Sequence, residues 1–529
     1  VSKNRSLANI AGIVALATLI SKVFGLFREQ AIAAVFGVGP VINAYSYAYV
    51  LPGFLLILLG GINGPFHSAL VSVLAKREQQ ESAKIVETIT TIVSSFLLLI
   101  TLALIFLADH CIDIVAPGLD PVVRKLAIEQ LEIMSPLALF AGLIGIGFGT
   151  LNAANQYWLP SISPLFSSLI TIIGLAIFAL VVGKGIHATH NLELGGMILA
   201  GTTLAGGVLQ WLVQIIPQWR AGLGSLKLRF NWKTPGVSDV LKVMIPATLS
   251  SGMLQINVYT DLFFASYIPD AAAAMRYGNF LVLTPLGIIS NMILVPFLPV
   301  FSRLAAPENW PELKIRIREG IFLTALTMLP LTAIFTALAL PIVQVIYQRG
   351  AFNSADSKVV VPVVMAYGVG MFFYLGRDVL LRVFYALGDG AVPAKISIIN
   401  IFLNFVFDYF LVHTFKTPGL ILATVSVNLI SMLTFLWILN RRLGGLPLWD
   451  WGILLLKLIG ITILSSLTAW GFEQGWGHLF HSHNQLLQIL ELIVCSLVSL
   501  VTFIYLASEL NIPELNMIVE KISKKISKS

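Results

Sequence analysis

The sequence predicts an all-α integral membrane protein of about fourteen transmembrane helices, and three observations carry that prediction. Of its 529 residues 57% are hydrophobic and only 11% charged, with a mean hydropathy of +0.89. The apolar residues come in runs of roughly 20 or more, the length that crosses a bilayer. The basic residues gather between alternate runs. A soluble domain carries about 25% charged residues, and surface-to-volume scaling leaves too few interior positions to hide this much apolar surface. Hydrocarbon is therefore the solvent for much of the chain, and each span must satisfy its own backbone groups as a helix.

Runs and breaks place spans near 7–36, 41–65, 85–109, 124–154, 160–183, 194–217, 237–268, 273–302, 317–348, 359–387, 392–415, 418–440, 449–473 and 485–508. Loop charge tests the count. With Lys3 and Arg5 in the cytoplasm, loops after even-numbered spans should be basic. They hold Lys76, Arg77 and Lys84, then Arg220, Lys227, Arg229 and Lys233, then Arg303, Lys314, Arg316 and Arg318, then Lys395, Arg441 and Arg442. The tail adds Lys521, Lys524, Lys525 and Lys528, whereas the opposite loops offer Arg124, Lys125, Lys184, Arg349, Lys358 and Lys416. Both termini are expected in the cytoplasm. The same pattern accounts for the formal net charge of +7 and the pI near 9.3 without a nucleic-acid partner. The N-terminal stretch after Val1–Ser6 has no small-residue cleavage site and reads as a retained first span.

Several landmarks recur at an offset of 233 residues: Pro52 and Pro285, the span exits 116–120 and 349–353, and the turns Ala153…Pro160 and Ala386…Pro393. A repeat of six spans keeps one orientation, and transporters so built bind substrate between halves that rock. The expected organisation is a six-helix lobe over 1–222, a second over 223–443, helices 13 and 14 over 444–510, and a basic cytoplasmic tail over 511–529. Ile518, Val519, Ile522 and Ile526 among the tail lysines suit either an interfacial helix or a solvated end.

Ionisable groups inside spans are costly and mark function by default. Lys22 and Glu29 lie seven residues apart on one face of the first span, with Arg28 beside them. Such a partly compensated basic stripe suits an anionic head group, or forms an internal ion-pair set near a helix end. Asp261, Arg276 and Asn279 mark the span 7–8 region, with Asp261 at the repeat offset from Arg28. Asp378 and Arg382 have the spacing of a structural pair within one helix. Asp408 shows no local partner and could hold a cation or proton. Asn43 opens span 2 among Tyr45, Tyr47 and Tyr49, an arrangement that suits an interfacial aromatic belt.

Cys111 and Cys495 imply neither a disulfide nor a metal site, and His478, His481 and His483 have the spacing of solvated loop residues. No phosphate loop, G-x-S-x-G or H-E-x-x-H occurs, so no enzyme and no bound cofactor are expected. Without a nucleotide-binding module, transport must run on an ion gradient (Na+ or H+), the membrane potential or the substrate's own gradient.

The run Ser21-Lys22-Val23-Phe24-Gly25-Leu26-Phe27-Arg28-Glu29, followed by Phe36-Gly37-Val38-Gly39 and Asn43-Ala44-Tyr45, resembles the first-span signature of the MurJ (MviN) lipid II flippases. The likeness continues through Gly149-Thr150-Leu151-Asn152-Ala153, Tyr157-Trp158-Leu159-Pro160, Tyr347-Gln348-Arg349-Gly350-Ala351-Phe352 and Phe384-Tyr385-Ala386-Leu387-Gly388-Asp389. The resemblance implies the fold of the multidrug/oligosaccharidyl-lipid/polysaccharide exporter superfamily, with two lobes about a cationic cavity and a lipid-tail groove formed by the last two helices. It implies a bacterial inner-membrane flippase for lipid II, the undecaprenyl-diphosphate-linked peptidoglycan precursor, with membrane lipids and cell-wall synthesis proteins as further partners. Lys22, Arg28 and Glu29, standing for the family's arginine, arginine and aspartate, would hold the diphosphate. The departures are specific. Asn43 replaces an acid, the stretch Leu55–Asn63 lacks the family's charges, and the span 8 arginine falls near Asn279 and Phe280, with Arg276 a turn away. An exporter of another polyprenyl-linked oligosaccharide or amphiphile is the alternative, and a non-transporting scaffold the third.

Overall fold

The computed structural model describes residues 7–60, 64–75, 77–183, 189–231, 233–253, 256–479, 485–510 and 512–515. His481, His483, the lysines of the tail and the terminal Lys3 and Arg5 lie outside the described residues. Those described form helices and connecting loops, with no strand among them.

The helices follow the hydropathy runs closely. They are α1 (Leu7–Phe36), α2 (Pro40–Gly60), α3 (Pro65–Leu74), α4 (Gln79–Phe106), α5 (Ala108–Val115), α6 (Pro121–Met134), α7 (Leu137–Ala153), α8 (Trp158–Ile162), α9 (Pro164–Val182) and α10 (Thr189–Arg220). There follow α11 (Val237–Met253), α12 (Ile256–Ala265), α13 (Ala271–Arg303), α14 (Trp310–Ala337), α15 (Ala339–Tyr347), α16 (Ser354–Ala386), α17 (Ala391–Phe415), α18 (Thr417–Arg442), α19 (Leu448–Leu479) and α20 (Gln485–Ser508). Among the described residues eleven helical stretches are long and apolar enough to cross a membrane, and the pair α6–α7, bent by 41°, makes twelve if it is one span. The two remaining expected spans coincide with α1 and with α11–α12.

Local chemistry sets the boundaries. Asp120 caps α6 by accepting the N–H groups of Val122 and Val123 at 3.0 and 3.2 Å, with Pro121 at the first helical position. Pro136 stands at the α6–α7 bend, where its missing N–H and its ring break the helical ladder.

The internal repeat extends to backbone detail. Pro121 and Ser354 both open helices 233 residues apart, as do Trp158 and Ala391, and Val182 and Phe415 both close them. The residues after those ends share one rare conformation, φ 57° and ψ −135° at Gly183 and φ 53° and ψ −133° at Lys416. The breaks at Leu107 (φ −114°, ψ 21°) and Leu338 (φ −109°, ψ 22°) share a conformation too, at a separation two residues shorter than that offset.

The chain divides into two compact units, Val1–Ala273 with Arg349–Asn353, and Ala274–Gln348 with Ser354–Ser529. In the first, Phe66, Leu70, Ile85, Ile89, Ile146 and Val240 form a core from α3, α4, α7 and α11. In the second, α16 packs against α14 and α18, and the rings of Phe384 and Phe435 lie 5.1 Å apart.

Candidate functional site

The first unit holds Lys22, Arg28, Glu29, Asn43 and Asp261, and the second holds Arg276 and Asn279. On α1, Arg28 Nη2 donates to Glu29 Oε1 at 2.9 Å. Glu29 is 1% exposed, so the bond places a guanidinium against a carboxylate withdrawn from solvent. Lys22 lies half-buried two turns earlier, so the trio of side chains carries one formal net positive charge. Ser21 Oγ donates to Ser161 O at 3.2 Å and ties this stretch of α1 to α8.

The far end of α1 receives the segment Arg349–Asn353. Ala351 N–H donates to Ala34 O at 2.7 Å. Gly350 has φ 60°, and a Cβ there would stand 2.2 Å from that same carbonyl oxygen. Only glycine lets two backbones approach so closely. The motif Arg349-Gly350-Ala351-Phe352 is thus a docking element for the first helix.

Asn43 is 5% exposed, and its Oδ1 accepts the N–H of Ala273 at 3.3 Å. Ala273 lies in the first turn of α13, where backbone donors lack intrahelical acceptors. Asn43 therefore caps a helix distant in sequence. The tyrosines beside it depart from the expected belt. Tyr45 and Tyr47 are 3% and 1% exposed; Tyr45 bonds Thr203 at 3.0 Å and stacks on Tyr49, and Tyr47 packs with Val115, Ala116, Leu262 and Ala272. Burial against α10 and against α5, α12 and α13 outcompetes the interface because each ring finds a packed partner.

On α13, Arg276 and Asn279 are half-buried and a turn apart, while the adjacent Tyr277 is fully buried. Tyr347 Oη donates to Tyr277 O at 3.3 Å, their rings 4.9 Å apart, and this fixes the register of the face that Arg276 and Asn279 share. Asp261 is half-buried on α12 beside the buried Leu262.

Two expectations about pairing are corrected. Asp378 forms its ion pair with the adjacent Arg377 at 3.6 Å, not with Arg382 a turn later. Asp408, fully buried, does have a local partner: Asn404 Nδ2 donates to its Oδ2 at 2.8 Å, and Thr424 Oγ1 donates to Asn404 Oδ1 at 3.2 Å. Asn400 accepts from Ser431 at 2.8 Å one turn earlier. The spacing Asn400, Asn404, Asp408 on an apolar helix is the signal that marks this stripe. A second polar contact escaped the sequence reading because it involves no charge: His67 on α3 and Asn152 on α7 meet at 2.8 Å. It lies just beyond the uncharged stretch Leu55–Asn63.

Among the described residues no group of three or more His, Cys, Asp and Glu could hold a metal ion. Cys111 and Cys495 are both free.

Comparison with known proteins bears on the whole chain. The family model described as "Lipid II flippase MurJ" matches residues 32–491. A probable lipid II flippase MurJ of Synechocystis sp. is 60% identical over 525 residues, covering 99% of this chain and 98% of its own. The lipid II flippase MurJ of Burkholderia cenocepacia is 27% identical over 481 residues, covering 88% and 89%. Among solved structures, a lipid II flippase MurJ in an inward closed conformation superposes with TM-score 0.73 at 22% identity, over 94% of this chain and 99% of that one. An inward-facing multidrug-resistance MATE transporter of the MOP superfamily gives 0.61 at 18% identity, over 82% and 98%. The MOP-superfamily fold thus accounts for the helices, and the chain belongs to the MurJ family of lipid II flippases.

Proposed function

We propose that this chain carries lipid II from the cytoplasmic to the outer leaflet of the bacterial inner membrane by alternating access, with both termini in the cytoplasm. One observation carries the reading: the 60% identity to the Synechocystis MurJ extends over nearly the full length of both chains. The basic residues of α1 support it, because a diphosphate is met best by guanidinium and ammonium donors. In this reading Lys22 and Arg28 meet the diphosphate and Glu29 holds the guanidinium in position. Asp261, Arg276 and Asn279 are further head-group contacts in this reading; the chain comprises two six-helix lobes, and α19 and α20 serve the polyprenyl tail. Asn43 contributes by holding the start of α13. A coupling cation or proton finds its most suitable place at Asp408, where a buried carboxylate already has amide and hydroxyl neighbours.

The test is rescue of a bacterium depleted of its own lipid II flippase. Rescue by the wild-type chain, lost in Arg28→Ala at equal membrane expression, is the expected result. Stable expression without rescue would overturn lipid II as cargo and favour another polyprenyl-linked glycan, for which the uncharged stretch Leu55–Asn63 is the supporting observation. Asp408→Asn should abolish any dependence of flipping on the ion gradient, and unchanged dependence would refute its coupling role.

A further inference from the structure

The connection between α10 and α11 is tied to the α3–α4 corner along its length. Gln79 Nε2 donates to Ala221 O. The N–H and hydroxyl of Ser225 donate to Glu87 Oε1 at 3.1 and 2.6 Å. Arg229 Nε donates to Glu87 Oε2 at 2.5 Å, and its N–H donates to Thr91 Oγ1 at 3.0 Å. Arg77 reaches Pro235 O at 3.4 Å and ion-pairs with Asp239 at 3.3 Å. A loop merely spanning two helices needs none of these bonds.

The strap presents an apolar face outward. Arg229 is drawn onto α4, while Leu226, Leu228 and Phe230 are 58%, 78% and 62% exposed. Three large apolar side chains displayed on one short ordered loop would be a liability in water. Here the loop is fastened to Glu87 and Thr91, in the third and fourth turns of α4, a membrane-spanning helix whose Phe96 and Leu99 are exposed further along. The strap therefore lies at the edge of the hydrocarbon. Lys84, Arg220, Lys227 and Lys233 on these segments are all exposed; of the acids at the same corner, Glu81 and Asp239 are engaged by Arg77, and Glu78 is exposed.

We propose that Leu226–Phe230 is a membrane-surface anchor. Leu226, Leu228 and Phe230 enter the acyl layer, and Lys227, with Arg220 and Lys233, takes the head groups of anionic phospholipid. Apolar insertion beside cations is the combination that binds an acidic leaflet. The assignment to the cytoplasmic leaflet rests on the orientation given under Proposed function. The bonds to Glu87 and Thr91 pre-order the strap, so insertion costs it little conformational freedom.

The test uses the full chain with Cys111 and Cys495 replaced by alanine, in nanodiscs of phosphatidylcholine with phosphatidylglycerol. A spin label at Leu228→Cys should relax with oxygen far more than with a water-soluble nickel chelate, and one at Ser238→Cys should do the reverse. Equal access of the chelate to both sites overturns the anchor. Shielding of Leu228→Cys from both relaxants reports a protein contact and overturns it too. Lys227→Glu with Lys233→Glu should cut the phosphatidylglycerol retained in native mass spectrometry by about fivefold per lysine; unchanged retention overturns the head-group role. Sidedness is read separately, by an impermeant thiol reagent on Ser238→Cys in sealed vesicles. Labelling from outside overturns the orientation and the leaflet, while the depth measurement still judges the anchor.

Discussion

At Gly350 a single methyl group tests how the 349–353 segment is held on α1. The residue has φ 60°, and the oxygen that a Cβ would meet at 2.2 Å belongs to the backbone of Ala34, which cannot rotate aside. An alanine in this left-handed conformation costs about 1 kcal/mol. Relieving the overlap lifts the loop and lengthens the bond from Ala351 N–H to Ala34 O, now 2.7 Å. Losing that bond costs about 1–2 kcal/mol more. The sum, about 2–3 kcal/mol, corresponds to roughly a hundredfold easier local opening. Hydrogen exchange of the peptide covering 349–353, measured in detergent or nanodiscs, reads that quantity directly. Gly388→Ala is the control, because Gly388 has φ 73° but nothing within 4 Å of its Cβ position. It should accelerate exchange of its own segment about tenfold or less, through the conformational cost alone. Equal accelerations in the two variants would refute the steric argument and leave the motif's glycine explained by its dihedral angle.

Three further outcomes follow from the helix ends. Asn43→Ala should lower stability by about 1–2 kcal/mol by leaving the Ala273 N–H unsatisfied, and Asn43→Asp should retain most of it, since a carboxylate at a helix start is favourable; thermal denaturation that ranks the two equally would remove the cap from the account. Lys416→Gly should raise stability by about 1 kcal/mol, because lysine holds the same angles that Gly183 adopts freely; an unchanged melting temperature would mean that the strain is relieved in solution. Asp389, in the loop between α16 and α17, accepts Val392 N–H at 3.1 Å and Arg442 Nη1 at 2.6 Å. The backbone bond first, and then the guanidinium, hold its carboxyl below the usual carboxylate range. The folded-state value is depressed, so its contribution is complete above pH of about 4 and lost as pH falls through the folded value. Asp389→Asn should cost about 1 kcal/mol at neutral pH and nothing in acid, and a loss that persists in acid would contradict the ionic origin.

The spans were legible because lipid demands long apolar runs, and this demand is local in sequence. Phe415 and Val182 could be placed within a residue or two for that reason. Loop basicity and the 233-residue offset were legible too, and the structure extends that offset to the shared turn after α9 and α17. What stayed hidden is pairing between distant elements. Nothing in the sequence around Asn43 tells that the start of α13 stands opposite its side chain. Tyr45 and Tyr47 looked interfacial because an alternating tyrosine run says nothing about whether Thr203 or Leu262 stands opposite. Asp378 had an arginine on either side of its helical turn, and which one it meets depends on rotamers that spacing does not determine. The strap over 225–230 read only as a basic loop, since its anchor, Glu87, lies on another helix.

The short segment after α20 also bears on where this chain can be shortened. Ile512 and Leu515 are 1% and 6% exposed, and Glu514, 3% exposed, accepts from Arg318 at 2.6 Å while that guanidinium also lies 4.9 Å from the Phe322 ring. An expression clone ended after Ser508 would keep every span and look harmless on a hydropathy plot. It would nevertheless strip the counter-charge from Arg318 and uncover the apolar seat of Ile512 and Leu515. A clone ended after Leu515 would keep both, and is the better place to attach a purification tag or a fluorescent reporter.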